Sequence, residues 1–178
     1  MLAAQRSLHK LCTESGGIID QSTFVHDGKE IRFVRTSCPG IANYTSPVLA
    51  GRQNFEWCTD GDCVPSCYNF TETEQPLIAD CEVLTNFFVT VVEDPPFFHV
   101  PAHSSAGYEY STCVYSFLNS DSVPYDVCYS DFGTSSFNTA NECFGNYPAA
   151  GSTRGAFCAA PPIEGGNPWY LEIYYAGP

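Results

Sequence analysis

The segment WYLEIYY, residues 169–175, alternates strictly between two sets of side chains. One set is apolar and the other is mixed: Trp169, Leu171, Ile173 and Tyr175 against Tyr170, Glu172 and Tyr174. Successive side chains of a β-strand point to opposite faces of its sheet. The segment therefore predicts a β-strand that buries its apolar face and presents Tyr170, Glu172 and Tyr174 on the outer face.

Runs of β-branched and aromatic residues predict further strands upstream. Asp27-Gly28 separates the runs 23–26 and 30–35, which is typical of a tight hairpin turn. Shorter candidates are residues 54–58, 108–118, 124–129 and 155–159. The longest apolar run, residues 83–92, is expected to be a central strand that is buried on both faces.

Helix signals are confined to the start of the chain, where Ala4, Leu8 and Leu11 recur at helical spacing before Cys12. Residues 36–82 hold five cysteines and are expected to form an irregular segment held by disulfides rather than regular sheet. Residues 130–168 are rich in Gly, Asn, Ser and Ala and are expected to form long ordered loops. The sequence predicts one mainly β domain over residues 1–178. The expected fold is an antiparallel β-sandwich or barrel with disulfide-stapled loops and a short N-terminal helix.

The net charge is −13, and five of the seven basic residues lie within the first 35 positions. A nucleic-acid partner requires clustered Lys and Arg, so none is expected. Anionic membrane surfaces are excluded for the same reason. No stretch approaches the roughly 20 apolar residues of a membrane span.

The cysteines carry the strongest compositional signal. They are even in number, and no C-x-x-C pair occurs among them, which argues against zinc. An oxidising compartment would join them in disulfides. The predicted disulfide residues are Cys12, Cys38, Cys58, Cys63, Cys67, Cys81, Cys113, Cys128, Cys143 and Cys158.

Two N-x-[ST] sequons point to the same compartment, because such acceptors are used in a eukaryotic secretory pathway. They predict glycosylation at Asn43 and Asn69. The first residues, MLAAQR, lack the apolar core of a signal peptide, so a secretory signal is expected outside this sequence. A secreted, extracellular location follows as the expectation.

Catalytic and metal-binding motifs are weak. There is no G-x-S-x-G elbow, and an even cysteine count leaves no thiol nucleophile. His99 and His103 have ligand-like spacing, but the prolines around them oppose a helix. Asp60-Gly61-Asp62 fits a turn between cysteines better than a calcium loop. No metal and no cofactor are predicted.

The sequence leaves two candidate functional sites, a catalytic carboxylate pair and an aromatic binding surface. Carboxylate pairs for glycoside hydrolysis would come from Glu93-Asp94, Glu109, Asp126, Asp131 and Glu172. If the outer face of the last strand is exposed, Tyr170, Glu172 and Tyr174 form an aromatic and acidic surface suited to stacking on sugars. The alternative for these three residues is an ordinary outer sheet face.

The ten cysteines, the two sequons, the scarcity of lysine and the Tyr/Ser/Asn/Gly-rich second half resemble the small secreted cysteine-rich proteins of fungi. That class includes glycan-binding proteins, effectors that act on plants, and non-catalytic subunits of secreted oxidases such as heterodimeric laccases. The favoured hypothesis is an extracellular, non-catalytic recognition protein for a glycan or a protein surface. The alternatives are an accessory subunit of a secreted enzyme and a carbohydrate-active hydrolase that uses a carboxylate pair.

Overall fold

A computed structural model describes residues 12, 14–39, 55–58, 64–68, 74–91, 95–145, 154–160 and 168–177. Within these residues the fold is mainly β. The strands are β1 (Ile18–His26), β2 (Lys29–Ser37), β3 (Phe55–Trp57), β4 (Val64–Tyr68), β5 (Phe97–Val100), β6 (Ser104–Tyr110), β7 (Cys113–Asn119), β8 (Tyr125–Cys128), β9 (Gly155–Ala159) and β10 (Trp169–Tyr175). The helices are α1 (Ile78–Thr90) and α2 (Tyr129–Phe144).

The strands form two sheets in a sandwich-like arrangement. The large sheet has the order β1-β2-β6-β7-β10-β9-β4, and its strands pair antiparallel. The small sheet has the order β3-β8-β5, in which β3 and β8 run parallel. The small sheet and both helices pack on the inner face of the large sheet.

The hairpin and the last strand confirm their sequence predictions. Asp27 and Gly28 both have positive φ, +49° and +74°, as a type I′ turn requires. Strand β10 spans the predicted residues 169–175 and pairs with β7 and β9, so it is central in the large sheet. Trp169, Leu171 and Ile173 are buried in the core, as the alternation predicts.

The predicted central strand over residues 83–92 is wrong, because residues 78–90 form α1. The buried residues of this segment are Cys81, Leu84, Phe87 and Phe88, which recur at helical rather than strand spacing. Asp80 fixes the start of the helix, since its Oδ2 accepts hydrogen bonds from the Thr112 N–H and hydroxyl. The β-branched and aromatic content favours a strand locally, but packing against the sheet decides for a helix.

Three further predictions need correction. The segment 36–82, which was expected not to be regular sheet, contains β4 of the large sheet and the start of α1. The single strand expected over residues 108–118 is broken by a turn at Ser111 and Thr112, which separates β6 from β7. The loop expected from residue 130 is helix α2 as far as Phe144. The helix is rich in Ser, Thr and Asn, so its buried face, which includes Phe132, Ser136 and Ala140, is not evident as an apolar pattern in the sequence.

Aromatic rings fill the core between the layers. The ring centroid of Phe132 in α2 lies 4.9 Å from that of Phe88 in α1 and 5.2 Å from that of Phe98 in the small sheet. Trp57 of the small sheet lies 5.1 Å from Trp169 of β10. One continuous cluster thus joins both sheets and both helices.

Disulfides tie the layers together. Four complete bridges lie in the described part of the chain: Cys12–Cys38, Cys58–Cys128, Cys67–Cys143 and Cys81–Cys113. Cys158 is also disulfide-bonded, whereas Cys63 lies outside the described residues. These bridges indicate an oxidising environment. The predicted N-terminal helix falls mostly outside the described residues, although Cys12, Glu14 and Ser15 are helical.

Candidate functional site

The outer face of β10 carries the three residues that the sequence singled out, and their exposure differs. The structure leaves Tyr170 partly exposed, Glu172 2 % exposed and Tyr174 6 % exposed. Tyr174 packs with Val114 of β7 in a small apolar cluster. Of these three side chains, only Tyr170 has substantial contact with solvent. That the three form a joint binding surface stays a prediction.

Glu172 occupies the middle of this face. Its neighbours in register are Ser116 of β7 and Phe157 of β9. Glu172 is engaged in an interaction of its own. The Ser116 hydroxyl, in contrast, is buried without a hydrogen-bond partner among the described residues. Because Glu172 is enclosed, its carboxylate has almost no contact with solvent on this face.

Two further partly exposed rings lie beside Tyr170 on the same face. We call Tyr68 of β4, Phe157 of β9 and Tyr170 of β10 the aromatic trio. The Phe157 ring is stacked on Tyr170, with centroids 5.1 Å apart and planes at 29°, and meets Tyr68 edge-on at 5.4 Å and 88°. Such offset and T-shaped contacts are the favoured geometries of aromatic pairs.

Strand pairing and disulfides hold the aromatic trio in place. On β9, Gly155 is in register with Tyr68. Because Gly155 has no side chain, it leaves room for the Tyr68 ring to contact the ring of Phe157, two residues further along β9. Cys67, next to Tyr68, is bonded to Cys143 of α2. Tyr170 packs on the cluster that contains the Cys12–Cys38 bridge. The trio is thus a rigid surface, which limits the entropy lost when a ligand binds.

The two phenol groups of the trio interact electrostatically. Partial burial, together with the nearby Tyr68 hydroxyl, raises the pKa of Tyr170 above its ordinary value of 10.0. The Tyr170 hydroxyl therefore keeps its proton at physiological pH and is able to donate a hydrogen bond. The trio combines apolar ring faces with two polar tips.

No family model, curated protein or solved structure matches this chain.

The aromatic trio has no signature in the local sequence, because its members come from three distant segments. Phe157 and Tyr68 stand in short strands at the β4 edge of the sheet. The alternation in β10 identified Tyr170, but only the strand order places Phe157 and Tyr68 next to it. Tyr108, Tyr125 and Tyr129 lie in the buried core and are not part of this surface.

A histidine and an aspartate form a pair on the outer face of the small sheet. His99 Nδ1 lies 2.8 Å from Asp126 Oδ1, and the His99 side chain is 45 % exposed. His103 lies in the turn before β6, where its backbone N–H donates a hydrogen bond to the backbone carbonyl of Asp121. The two histidines do not share a site, and the described residues contain no group of three or more His, Cys, Asp or Glu that would hold a metal.

The carboxylates considered for hydrolysis lie on different elements. Glu109 of β6 faces Arg32 at 3.7 Å, Asp126 of β8 binds His99, and Asp131 in the first turn of α2 accepts a hydrogen bond from Ser130. Glu172 is buried on the opposite face of the large sheet from the helices. The remaining hydrolysis candidate, Glu93-Asp94, lies outside the described residues. The same is true of Asp60-Gly61-Asp62, which was weighed for calcium, and of the sequon residues Asn43 and Asn69.

Neither helix described here is long and apolar enough to cross a membrane.

Proposed function

We propose that this chain is a secreted, non-catalytic recognition protein that binds a glycan through the aromatic trio. One observation carries the proposal: Tyr68, Phe157 and Tyr170 form a preorganised and partly exposed ring surface on the outer face of the large sheet. The oxidised cysteines support an extracellular location.

Sugar recognition fits this chemistry. The C–H faces of a pyranose ring are apolar and lie flat on aromatic rings, while its hydroxyl groups need hydrogen-bond partners at the ring edges. The trio offers stacked ring faces, and the Tyr68 and Tyr170 hydroxyls supply polar groups beside them. Tyrosine suits such contacts because it gives rigid contact area with a polar tip.

A catalytic role has less support than a binding role. A glycosidase needs two carboxyl groups on either side of the scissile bond, about 5 to 9.5 Å apart. Glu172 is in register with Phe157 of the trio but is only 2 % exposed. Glu109 and Asp126 each face a basic partner of their own.

A glycan array probed with the purified protein tests the proposal. The expected result is binding to a restricted set of glycans, with loss of the signal in Tyr170→Ala. Tyr110→Ala is the matched control, because Tyr110 is also partly exposed but lies on β6, near Lys29. The control is expected to keep the wild-type binding pattern.

An array on which the folded wild-type protein binds nothing would overturn the proposal. Equal loss in Tyr170→Ala and Tyr110→Ala would place the binding surface elsewhere and would contradict the role of the trio. Near-UV circular dichroism of both variants establishes that each keeps its tertiary packing.

A further inference from the structure

Strand β1 lies at one end of the large sheet and is open to solvent. Its residues from Ile18 to Thr23 are all exposed, and β2 pairs along its other side. The type I′ turn at Asp27-Gly28 makes His26 and Lys29 a hydrogen-bonded pair. Because such pairs alternate along an antiparallel ladder, Gln21, Thr23 and Val25 direct their N–H and C=O groups to the open edge.

Exposed apolar side chains are concentrated on this strand. In the described part of the chain five large hydrophobic residues are exposed, and three of them belong to β1: Ile18 at 60 %, Ile19 at 50 % and Val25 at 72 %. A long open edge with apolar side chains is a template for pairing with another strand.

Charge favours a second copy of the chain as the partner strand. The hairpin of β1 and β2, residues 18–37, carries three acidic and three basic residues and is neutral, whereas the whole chain has a net charge of −13. Two copies repel each other over most of their surfaces, but they can approach at this hairpin without that cost.

We propose that β1 pairs antiparallel with β1 of a second copy about a two-fold axis at Thr23. This register uses the outward main-chain groups of Gln21, Thr23 and Val25 in both copies. It sets Thr23 opposite its own symmetry mate, and Thr–Thr is a favourable cross-strand pair. It also sets Asp20 of each copy opposite His26 of the other, so that a carboxylate meets an imidazole twice.

The two-fold axis allows a sharp test at Thr23. Within one chain Thr23 is in register with Arg32, whose side chain is 58 % exposed, so Thr23→Glu places an acid beside a base and preserves the hairpin. In the dimer the same change sets two glutamates directly opposite each other, which is destabilising. Thr23→Gln is the neutral control of the same size.

Sedimentation velocity over a concentration series measures the dimer, which is expected to be weak because pairing two edge strands buries less than about 1,000 Å². Thr23→Glu is expected to weaken dimerisation at least tenfold, and Thr23→Gln by less than threefold. Mixing Thr23→Glu with Thr23→Lys is expected to restore association. Amide exchange at Gln21, Thr23 and Val25 should slow as the wild-type concentration rises, whereas exchange at Ser22 and Phe24 should not change.

A wild-type protein that stays monomeric at its highest soluble concentration would overturn the proposal, as would a dimer that Thr23→Glu leaves intact. Protection of Gln21, Thr23 and Val25 that does not depend on protein concentration would also contradict it. Because β1 and the aromatic trio lie at opposite ends of the strand order, these outcomes do not depend on whether a glycan binds.

Discussion

Replacing Phe132 by alanine tests the packing of α2 against the rest of the core. Phe132 is fully buried, and its ring centroid lies within 6.3 Å of those of Phe88, Phe98, Tyr108 and Tyr115. These neighbours belong to α1, to the small sheet and to two strands of the large sheet. Removing the ring therefore leaves a cavity between all the layers, and such a change costs about 3 to 5 kcal/mol.

Urea unfolding with the disulfides intact measures this loss. We expect Phe132→Ala to lower the free energy of unfolding by about 4 kcal/mol, and the melting temperature by about 2 to 4 °C for each kcal/mol. Phe132→Leu is the control, because it keeps most of the volume and should cost less than about 1.5 kcal/mol. A loss below about 1 kcal/mol for Phe132→Ala would refute the proposed packing of α2, since removing a buried ring lowers stability by more than that.

Three further predictions concern the contact of α1 with β7. Burial raises the pKa of Tyr115 well above its ordinary 10.0, so the folded state holds this proton more tightly than the unfolded state does. The free energy of unfolding should therefore keep its full value below pH 10 and fall as the pH rises above it. Unfolding measured over a pH series should show a shallower fall for Tyr115→Phe than for wild type. Replacing Cys81 and Cys113 by alanine opens a loop of 32 residues and should cost about 3 to 4 kcal/mol in denaturant titrations. Asp80→Ala removes two hydrogen bonds to Thr112 and should cost about 1 to 3 kcal/mol, and a double-mutant cycle with Thr112→Val should show coupling between the two side chains.

The strands were predictable where side-chain alternation and turn chemistry agree. Residues 169–175 alternate over their whole length, and Asp27-Gly28 supplies the two positive φ values of a tight hairpin. Strand order was not predictable, because it depends on pairings between distant segments such as β2 with β6.

Both helices were missed for physical reasons. In α1, Phe87, Phe88 and the β-branched residues favour a strand locally, yet Cys81, Leu84 and Phe88 lie on one helical face and pack on the sheet. The spacing of these three was the signal that identifies the helix. In α2 the buried face includes serine and threonine, such as Ser136 and Thr139, so it carries little hydrophobic contrast.

The candidate site was predictable only in part. Tyr170 was found from the alternation of β10, and it remains in the proposed binding surface. Glu172 belongs to the same alternating set, but its side chain is only 2 % exposed, and its part in a binding surface stays a prediction. Phe157 and Tyr68 join Tyr170 only through the pairing of β9 with both β10 and β4, which no local pattern contains.

The aromatic trio is tested most directly by calorimetric titration of the protein with the glycan that binds best on the array. Wild type is compared with Tyr170→Phe, which keeps the ring, and with Tyr170→Ala, which removes it. We predict that Tyr170→Phe binds within about threefold of wild type and that Tyr170→Ala binds at least tenfold more weakly, about 1.4 kcal/mol. A Tyr170→Ala variant that is folded and binds as tightly as wild type would contradict the account.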